Sequence, residues 1–248
     1  MSFLDKLLGS RPKFAEVMIT DVTRMSGEKV CIAARTDGKS MRLSEPHPRD
    51  EWVKSVGGLS PGDLVRVQWR PAGRYRRPHS EDGRWSPSSF AKVRSLRIDD
   101  LSNELGRSAF ASVEEAFGKP LFLTEIGNPA FRPDHGSRSL ATIVARNVAV
   151  YPQGDGVRID FADARRSWPM VPVEDLSVRR HQQHCSECFI RLREFLTEQY
   201  DSEGAILRIG LGRPYQGGNN PLGCYLQVNH IFPERPRAGH FAGRREAS

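Results

Sequence analysis

Apolar and polar residues alternate along most of the chain in short runs, a pattern that is typical of half-buried β-strands. In the first half, this pattern predicts strands separated by glycine- and proline-rich turns, at Val17–Met25, Lys29–Ala34, Ser40–Ser44, Leu64–Arg70 and Lys92–Ile98. Because several short strands with turns between them favour a closed sheet over an open one, we expect a small barrel here.

The period of the pattern changes between Asp99 and Gly118, where apolar residues recur at helical spacings. Ser112 and Glu115 have the spacing of a capping box, so we expect two short helices. Three prolines follow before Gly136, which predicts an extended linker or edge element. The segment 99–136 is therefore expected to separate two domains.

The second half is predicted to contain strands again, with one helix at Val178–Tyr200 between the third and the fourth; the strands are Ser139–Tyr151, Val157–Phe161, Met170–Val173, Ala205–Leu211 and Gly223–Phe232. Three strands, a helix and two strands is the element order of an OB-fold. In the first half the predicted helices follow the sheet, so the order fits less closely.

We predict a mainly β protein with some α-helix (all-β/α+β), in which two small OB-like Greek-key barrels are joined by a short helical and proline-rich segment. The predicted parts are an N-terminal extension at 1–16, OB-like domain 1 at 17–98, a connector at 99–136, OB-like domain 2 at 137–233 with a helix at 180–200, and a disordered basic tail at 234–248.

The charge of the chain favours an acidic partner, because 37 Lys and Arg face 30 Asp and Glu, a net charge of +7. Between Arg66 and Arg97, nine basic residues face only Glu81 and Asp82, so this segment alone carries an excess as large as that of the whole chain. No run approaches the ~20 apolar residues of a membrane span. The first residues do not resemble a secretory signal, so we expect a cytoplasmic protein without a membrane partner.

A basic surface that carries aromatic rings is typical of proteins that bind single-stranded nucleic acid, since cations contact phosphates and rings stack on bases. The second glycine-rich loop, after Leu211, adds one arginine and one tyrosine. The candidate nucleic-acid-binding residues are Arg66, Arg70, Arg74, Tyr75, Arg76, Arg77, His79, Trp85, Arg94, Arg213 and Tyr215. A solvated hairpin with a charged tip explains the same composition.

Two catalytic or metallic hypotheses stand beside this one. His79, Glu81 and Asp82 could form an acid–base or metal-binding group of a metal-dependent enzyme.

The cluster of His181, His184, Cys185 and Cys188 has the ligand types of a structural zinc site. In one continuous helix, however, its ends lie ~10 Å apart along the axis, and the two cysteines fall on the apolar stripe. Reduced, buried thiols are therefore the preferred interpretation, and we predict no cofactor, with zinc as the alternative.

Five segments resemble the bacterial dual OB-containing domain family, over roughly Val17–Pro233. They are Ile19-Thr-Asp-Val-Thr-Arg-Met25, Val30-Cys-Ile-Ala33, Arg77-Pro-His-Ser-Glu-Asp82, Leu207-Arg-Ile-Gly-Leu-Gly-Arg-Pro214 and Cys224-Tyr-Leu-Gln-Val-Asn229. The resemblance implies two OB barrels and nucleic-acid binding in bacterial defence or nucleic-acid processing, with no catalysis to carry over. The sequence departs from the family pattern at Gly83 and Arg84, which stand before Trp85 where the aromatic residue is expected directly after the acids.

The resulting prediction is a non-catalytic protein that binds single-stranded DNA or RNA. The alternatives are the metal-dependent enzyme and a protein-binding adaptor whose basic loop serves only solubility. The sequence leaves open the choice between DNA and RNA, the oligomeric state and the presence of a protein partner.

Overall fold

The computed structural model describes residues 13–72, 77–125, 127–185, 187–194, 204–216 and 221–233. The predicted tail at 234–248 and residues 1–12 of the predicted extension lie outside this part of the chain. β-strands predominate among the described residues, as the sequence predicted.

The first half of the chain forms a closed β-barrel, called barrel 1 below. Its strands are β1 (Lys13–Arg24), β2 (Val30–Thr36), β3 (Lys39–Glu45), β4 (Asp63–Pro71), β5 (Asp82–Trp85) and β6 (Ala91–Ser95). The strands pair in the order β1-β2-β3-β5-β4, and β4 pairs with β1 to close the barrel. β6 resumes the pairing with β4 after a 3-10 turn at Pro87–Ser89, so β5 and β6 act as one interrupted strand.

The second half forms barrel 2, whose strands are β9 (Leu140–Gln153), β10 (Gly156–Ala162), β11 (Ser167–Val173), β12 (Ala205–Leu211) and β13 (Cys224–Pro233). They pair in the order β11-β10-β9-β12-β13, and a parallel contact between Val173 and Val228 joins β11 to β13. The third and last strands of barrel 1, β3 and β5, are likewise parallel. Both barrels therefore have the strand order 1-2-3-5-4-1 of the five-stranded OB-fold, and the prediction of two OB-like barrels is confirmed.

Each barrel carries a helix between its third and fourth strands. In barrel 1 this is α1 (Asp50–Ser55), which lies between two predicted strands where the sequence predicted no helix. The helix escaped prediction because it has six residues and only Val53 among them is buried, which leaves no periodicity to detect. The expectation that the helices of the first half only follow the sheet is wrong, and both barrels have the complete OB order.

Alternation places one side of each strand in a barrel core, since successive side chains point to opposite faces. The fully buried residues of barrel 1 include Val17, Ile19, Ile32, Leu43 and Val65, and those of barrel 2 include Ile143, Ile159, Phe161, Trp168 and Val171. Burial of each such side chain contributes about 1.5–3 kcal/mol relative to exposure. Each barrel thus has its own hydrophobic core.

The first strand begins earlier than predicted. β1 starts at Lys13, inside the segment 1–16 that the sequence assigned to an extension. The residues from Lys13 to Glu16 pair with β4 from Trp69 back to Arg66, and this long-range pairing extends the strand. Alternation within the local sequence carries no information about such a partner.

Two helices, α2 (Ile98–Gly106) and α3 (Val113–Phe117), follow barrel 1. Ser112 caps α3 by accepting a hydrogen bond from the Glu115 amide at 3.1 Å. The Glu115 carboxylate accepts from the Ala111 amide at 2.9 Å, one residue before the position that a capping box uses. The short strands β7 (Phe122–Leu123) and β8 (Pro129–Phe131) then extend the sheet of barrel 2 next to β13.

Helix α2 lies between the barrels. Its buried residues Leu101 and Leu105 pack with Met18 of barrel 1 and with Ile206 and Phe232 of barrel 2. This third apolar cluster fixes the two barrels against each other.

The helix predicted at 180–200 differs in the structure. Asp175 caps α4 (Leu176–His184) by accepting a hydrogen bond from the Val178 amide at 2.9 Å, and the helix ends at Cys185, which has extended backbone angles. Residues 187–194 form a second helical segment, and residues 195–200 lie outside the described part of the chain. The break coincides with a disulfide bond between Cys185 and Cys188. The prediction of reduced, buried thiols in one continuous helix is wrong, because periodicity cannot show that two cysteines are bonded.

Candidate functional site

The candidate site lies where the corresponding loops of the two barrels meet. Residues 72–81 connect the fourth and fifth strands of barrel 1, and residues 212–223 make the same connection in barrel 2. Arg213 of the second loop forms an ion pair with Asp82, at the end of the first loop, with Nη2 and Oδ2 separated by 2.5 Å. In OB-folds the loop between strands four and five is one of the ligand-binding loops.

A groove of about 910 Å³ opens beside this contact, and we call it the inter-barrel groove. It is lined by Ser44, Glu45, His47, Ala72, Arg77, His79, Asp82, Arg84, Arg213 and Pro214. Among the described lining residues, three arginines face two carboxylates. Its volume falls in the range of ligand-binding clefts.

Asp82 is held between two arginines. Its Oδ1 accepts from Nη1 of the buried Arg42 at 2.8 Å, and its Oδ2 faces Arg213. Burial tends to raise the pKa of the Asp82 carboxyl, but the charges of Arg42 and Arg213 and their hydrogen bonds outweigh this effect and lower the pKa. Asp82 is therefore ionised at neutral pH and positions the guanidinium of Arg213.

Glu81 connects the loop of barrel 1 to the first strand of barrel 2. Its carboxylate is nearly buried and accepts hydrogen bonds from the Ser139 amide at 2.8 Å, the Ser139 hydroxyl at 3.1 Å and the Leu140 amide at 3.2 Å. These three bonds occupy both carboxylate oxygens. Glu81 thus has a structural role at the contact between the barrels.

His79 lines the groove, but its side chain is only 2% exposed. Its Nδ1 lies 3.4 Å from Nη1 of Arg42. Burial, together with the charges of Arg42 and Arg213, lowers the pKa of His79 to about 3, so the imidazole is neutral at neutral pH. His79 therefore carries no positive charge with which to contact a phosphate at neutral pH. Because Glu81 and Asp82 are engaged in internal contacts, the three residues do not form an acid–base group open to a substrate.

Trp85 is a further correction, because the structure places it in the core of barrel 1. Its indole nitrogen donates a hydrogen bond to the Pro46 carbonyl at 2.7 Å, and its ring lies 4.9 Å from that of Trp52 and 6.1 Å from that of Phe90. Gly83 and Arg84 before it set the alternation of β5 so that Trp85 points inward. The ring is therefore not available to stack on bases.

Trp69, another aromatic residue of the basic segment, is half-buried under β5. Its ring lies so close to Gly83 that a Cβ on this glycine would be 2.0 Å from the indole nitrogen. That nitrogen donates to the Arg42 carbonyl at 3.4 Å. Trp69 thus packs within barrel 1 and requires glycine at position 83.

The remaining predicted arginines lie in two places. Arg70 lies directly opposite Arg84 on neighbouring strands, at the edge of the groove. Arg66 and Arg94 are exposed and do not line the groove. Arg66 lies opposite Glu16 on β1, and Arg94 is on β6. The structure therefore does not gather all the predicted arginines into one continuous trough.

Arg77 and Tyr215 are the predicted residues with freely accessible side chains near the two loops. Arg77 is exposed, lines the groove and makes no ion pair with a described residue. Tyr215 is 64% exposed and contacts Tyr225 edge to face at 6.3 Å. Arg74, Tyr75 and Arg76, which the sequence also predicted, lie outside the described residues.

Sequence reasoning missed the groove residues Arg84 and His47. Arg84 forms an ion pair with Glu45, with Nε and Oε2 separated by 2.7 Å, because the two residues are paired across the parallel strands β3 and β5. Burial and the charges of Arg213 and Lys29 lower the pKa of His47. Arg84 belongs to the basic segment and could have been included, whereas His47 gave no signal in the sequence.

The described residues contain no group of three or more His, Cys, Asp and Glu side chains arranged to hold a metal ion. Cys185 and Cys188 are bonded to each other and are therefore unavailable as thiolate ligands. His181 Nδ1 makes a hydrogen-bond contact with the Ser177 carbonyl within the same helix. The alternative of a zinc site at this cluster thus lacks its sulfur ligands.

Helices in the described part of the chain are all too short or too polar to cross a membrane.

The strand order and the closure of both sheets define the chain as a protein with two OB barrels. Neither the protein-family models nor the curated proteins give a match. Among solved structures, a murine DNA-binding protein bound to double-stranded DNA is similar at a TM-score of 0.34 and 10% identity, over 91% of this chain and 98% of that chain. The Ifi202 HINa domain in complex with 20-bp double-stranded DNA gives a TM-score of 0.34 at 10% identity, over 90% of this chain and 96% of that chain. The p204 HINb domain gives 0.33 at 13% identity, over 88% and 97%. Agreement at this level adds nothing to what the strand order shows.

Proposed function

We propose that the protein binds single-stranded DNA or RNA in the inter-barrel groove without catalysing a reaction. The observation that carries the proposal is the meeting of the two corresponding strand-four-to-five loops, which bring Arg77 and Arg213 into one groove. Loops at this position contribute ligand contacts in OB-folds. Two such loops together make a longer binding track than either barrel alone.

The charges of the groove support a phosphate ligand. Arg84 is partly neutralised by Glu45, and Arg213 by Asp82, while Arg77 has no described carboxylate partner. Arg213 keeps 40% of its side chain exposed although Asp82 positions it. A guanidinium has five donors, so a carboxylate partner leaves further donors for a phosphate oxygen. Arg70 adds another cation at the edge.

The sheet face of barrel 1 is covered, which favours the inter-barrel groove as the binding site over the sheet face that OB-folds commonly use. In OB-folds the face of strands two and three contributes to binding. In barrel 1 the outward-facing residues Ala33 and Arg42 are buried, and Arg42 Nη2 donates to Ser139 Oγ of barrel 2 at 3.2 Å. In the loops beside this covered face, Arg77 and Arg213 remain exposed. A single strand fits such a recess because its phosphates and bases can be presented separately.

The absence of catalysis is proposed because the candidate acid–base residues His79, Glu81 and Asp82 are engaged in internal contacts. A role within a bacterial defence or nucleic-acid-processing system is proposed only on the sequence resemblance to the dual OB-containing domain family. A protein-binding adaptor is the alternative function.

The test is fluorescence anisotropy with labelled single-stranded DNA, single-stranded RNA and duplex DNA. We compare the unmodified protein with the double variant Arg77→Ala/Arg213→Ala. The matched control, Arg107→Ala/Arg165→Ala, removes the same charge at exposed arginines outside the groove. Losing two charged hydrogen-bond contacts should weaken single-strand binding by about tenfold or more.

The control should bind nearly as well as the unmodified protein. Equal affinities of the groove variant and the control would contradict the location of the site. No binding of any nucleic acid at low salt would contradict the function and favour the adaptor.

A further inference from the structure

A second basic recess adjoins the loop of barrel 1 at Pro78, and we call it the connector pocket. Its volume is about 340 Å³. It is lined by Pro78, Phe117, Gly118, Lys119, Pro120, Leu121, Phe131, Arg132, His135, Gly136, Arg138 and Leu211. Most of these residues belong to the segment between the barrels, for which the sequence predicted only a linker or edge element.

The polar side chains of this lining are all cationic or imidazole groups: Lys119, Arg132, His135 and Arg138. Among the described residues, no aspartate or glutamate lines the pocket, whereas Glu45 and Asp82 line the inter-barrel groove. Within the described residues, none of the four basic groups takes part in an ion pair. The charges of Lys119, Arg132 and Arg138 therefore add up at the pocket and favour an anion.

One cation of the pocket has a defined orientation. The guanidinium of Arg138 lies over the ring of Phe110, 4.8 Å from its centroid. This contact engages an aromatic ring and not a hydrogen-bond acceptor, so it does not use up the five N–H donors of the guanidinium. Arg138 is exposed at the pocket, so these donors are accessible to a ligand.

The pocket also has apolar walls. Phe117 packs edge to face on the buried Phe131, with centroids 5.8 Å apart, and Leu121 is 43% exposed beside them. Apolar walls with a basic rim match a ligand that is flat and apolar at one end and anionic at the other. A nucleotide has this chemistry, since its base has an apolar face and its phosphate is charged.

We propose that the connector pocket binds one nucleotide, with the base against Phe117 and Leu121 and the phosphate at Arg132 and Arg138. The nucleotide is either a phosphate-bearing end of a bound strand or a free nucleotide. Arg77 lines the groove and the adjacent Pro78 lines the pocket, so a strand in the groove has the pocket beside it. Only the strand-end source rests on the proposed function.

The first test measures adenosine 5′-monophosphate, adenosine and inorganic phosphate by isothermal titration calorimetry. The variants are Arg132→Ala/Arg138→Ala in the pocket, Arg77→Ala/Arg213→Ala in the groove and Arg107→Ala/Arg165→Ala as the control. The monophosphate should bind more tightly than adenosine or phosphate alone. The pocket variant should weaken it by about tenfold or more, while the other two variants leave it unchanged. Adenosine binding as tightly as the monophosphate, or a pocket variant that behaves as the control, would overturn the proposal for a free nucleotide.

The second test identifies the strand-end source. A labelled single-stranded oligonucleotide is compared with the same oligonucleotide phosphorylated at the 5′ or the 3′ end. A phosphorylated end should increase affinity severalfold, and the pocket variant should abolish this increase while it keeps the binding of the unphosphorylated strand.

An equal affinity for all three oligonucleotides, together with no binding of the monophosphate, would overturn the pocket and leave the groove untouched. Conversely, monophosphate binding without any oligonucleotide binding would keep the pocket, assign it to a free nucleotide, and refute the proposed function. Circular dichroism melting of each variant verifies that exposed substitutions leave the fold intact.

Discussion

Arg208 of β12 and Asp21 of β1 form a forked ion pair that joins the two barrels. Nε of Arg208 donates to Oδ1 at 3.0 Å, and Nη2 donates to Oδ2 at 2.9 Å. Thr142 Oγ1 accepts from Nη1 at 3.0 Å, and Thr20 donates to Asp21 at 3.0 Å. Both charged side chains are almost completely buried, so each depends on the other for compensation of its charge.

Replacing one member of this pair should strongly destabilise the protein. Asp21→Asn and Arg208→Met each leave a buried charge or polar group without its partner, which costs about 3–5 kcal/mol for a buried pair. Urea unfolding at constant pH measures the loss. The surface pair of Arg107 and Glu104 is the comparison, and Arg107→Ala should cost less than about 1 kcal/mol.

The double variant Asp21→Leu/Arg208→Met distinguishes the cost of an unpaired buried charge from the cost of lost packing. Because it leaves no unpaired charge, it should be more stable than the sum of the single losses indicates. Losses below about 1 kcal/mol in both single variants would show that the contact between the barrels does not depend on this pair.

The contact between the two barrels explains why the proposed binding site lies at the loops and not on the sheet face of barrel 1. The outer face of barrel 1 that carries Asp21, Ala33 and Arg42 is covered by barrel 2, through Arg208 and Ser139. The packing of the barrels also brings Arg213 of the second loop next to Asp82 at the end of the first loop. The covered face therefore removes one binding surface and creates the inter-barrel groove.

The stability of the protein should fall on mild acidification because of His79. Its pKa is lowered to about 3 in the folded protein, against an ordinary value of 6.5. As the pH falls below 6.5, the unfolded chain takes up a proton at this position while the folded protein does not, so protonation favours unfolding. The contribution is complete at neutral pH and is lost progressively between about pH 6.5 and pH 3.

The variant His79→Gln tests this dependence, because glutamine is polar and does not titrate. The free energy of unfolding, measured by urea titration from neutral pH to about pH 4, should fall less steeply in the variant than in the unmodified protein. Identical slopes for His79→Gln and the unmodified protein would show that His79 is not kept neutral by the fold.

The cysteines provide a direct chemical test. Cys31 and Cys224 are free, whereas Cys185 and Cys188 are bonded. Thiol titration of protein that is unfolded without a reductant should therefore detect two thiols per chain, and four after reduction. In Cys185→Ser/Cys188→Ser both values should be two. Four thiols before reduction would refute the disulfide and restore the sequence prediction of reduced cysteines.

The architecture was largely predictable because the strands alternate, and alternation depends only on local sequence. The helix α1 was missed because six residues with one buried side chain, Val53, produce no period. The break at Cys185 was missed because a bond between two side chains has no periodic signature. Local pattern thus gave the longer strands in their order along the chain, but it missed the short strands β5, β7 and β8 and the helix α1, and it failed at the bond between Cys185 and Cys188.

For the candidate site, the sequence showed where positive charge is concentrated, but it did not show how the charged side chains are arranged. Arg77 was predicted from the basic segment and Arg213 from the second glycine-rich loop, and both residues line the groove. Their partners could not be derived, because Asp82 meets Arg213 and Glu81 meets Ser139 only after the barrels pack together. Trp85 was assigned to stacking because the sequence shows an aromatic residue near a basic loop and does not show which face of β5 it occupies.

The affinity of the inter-barrel groove for nucleic acid should depend steeply on salt concentration, and Glu45 should lower this affinity. Each phosphate contact on a single strand lowers log affinity by about 0.7 per unit of log salt concentration. Arg77→Ala and Arg213→Ala should each reduce this slope by about 0.7.

Glu45 opposes binding because it neutralises Arg84 in an exposed pair, so Glu45→Gln should raise affinity at low salt and Arg84→Ala should lower it. Anisotropy titrations between about 50 and 200 mM salt measure all four variants. If Glu45→Gln weakens binding, or if neither arginine substitution changes the slope, the phosphate backbone does not lie against this surface.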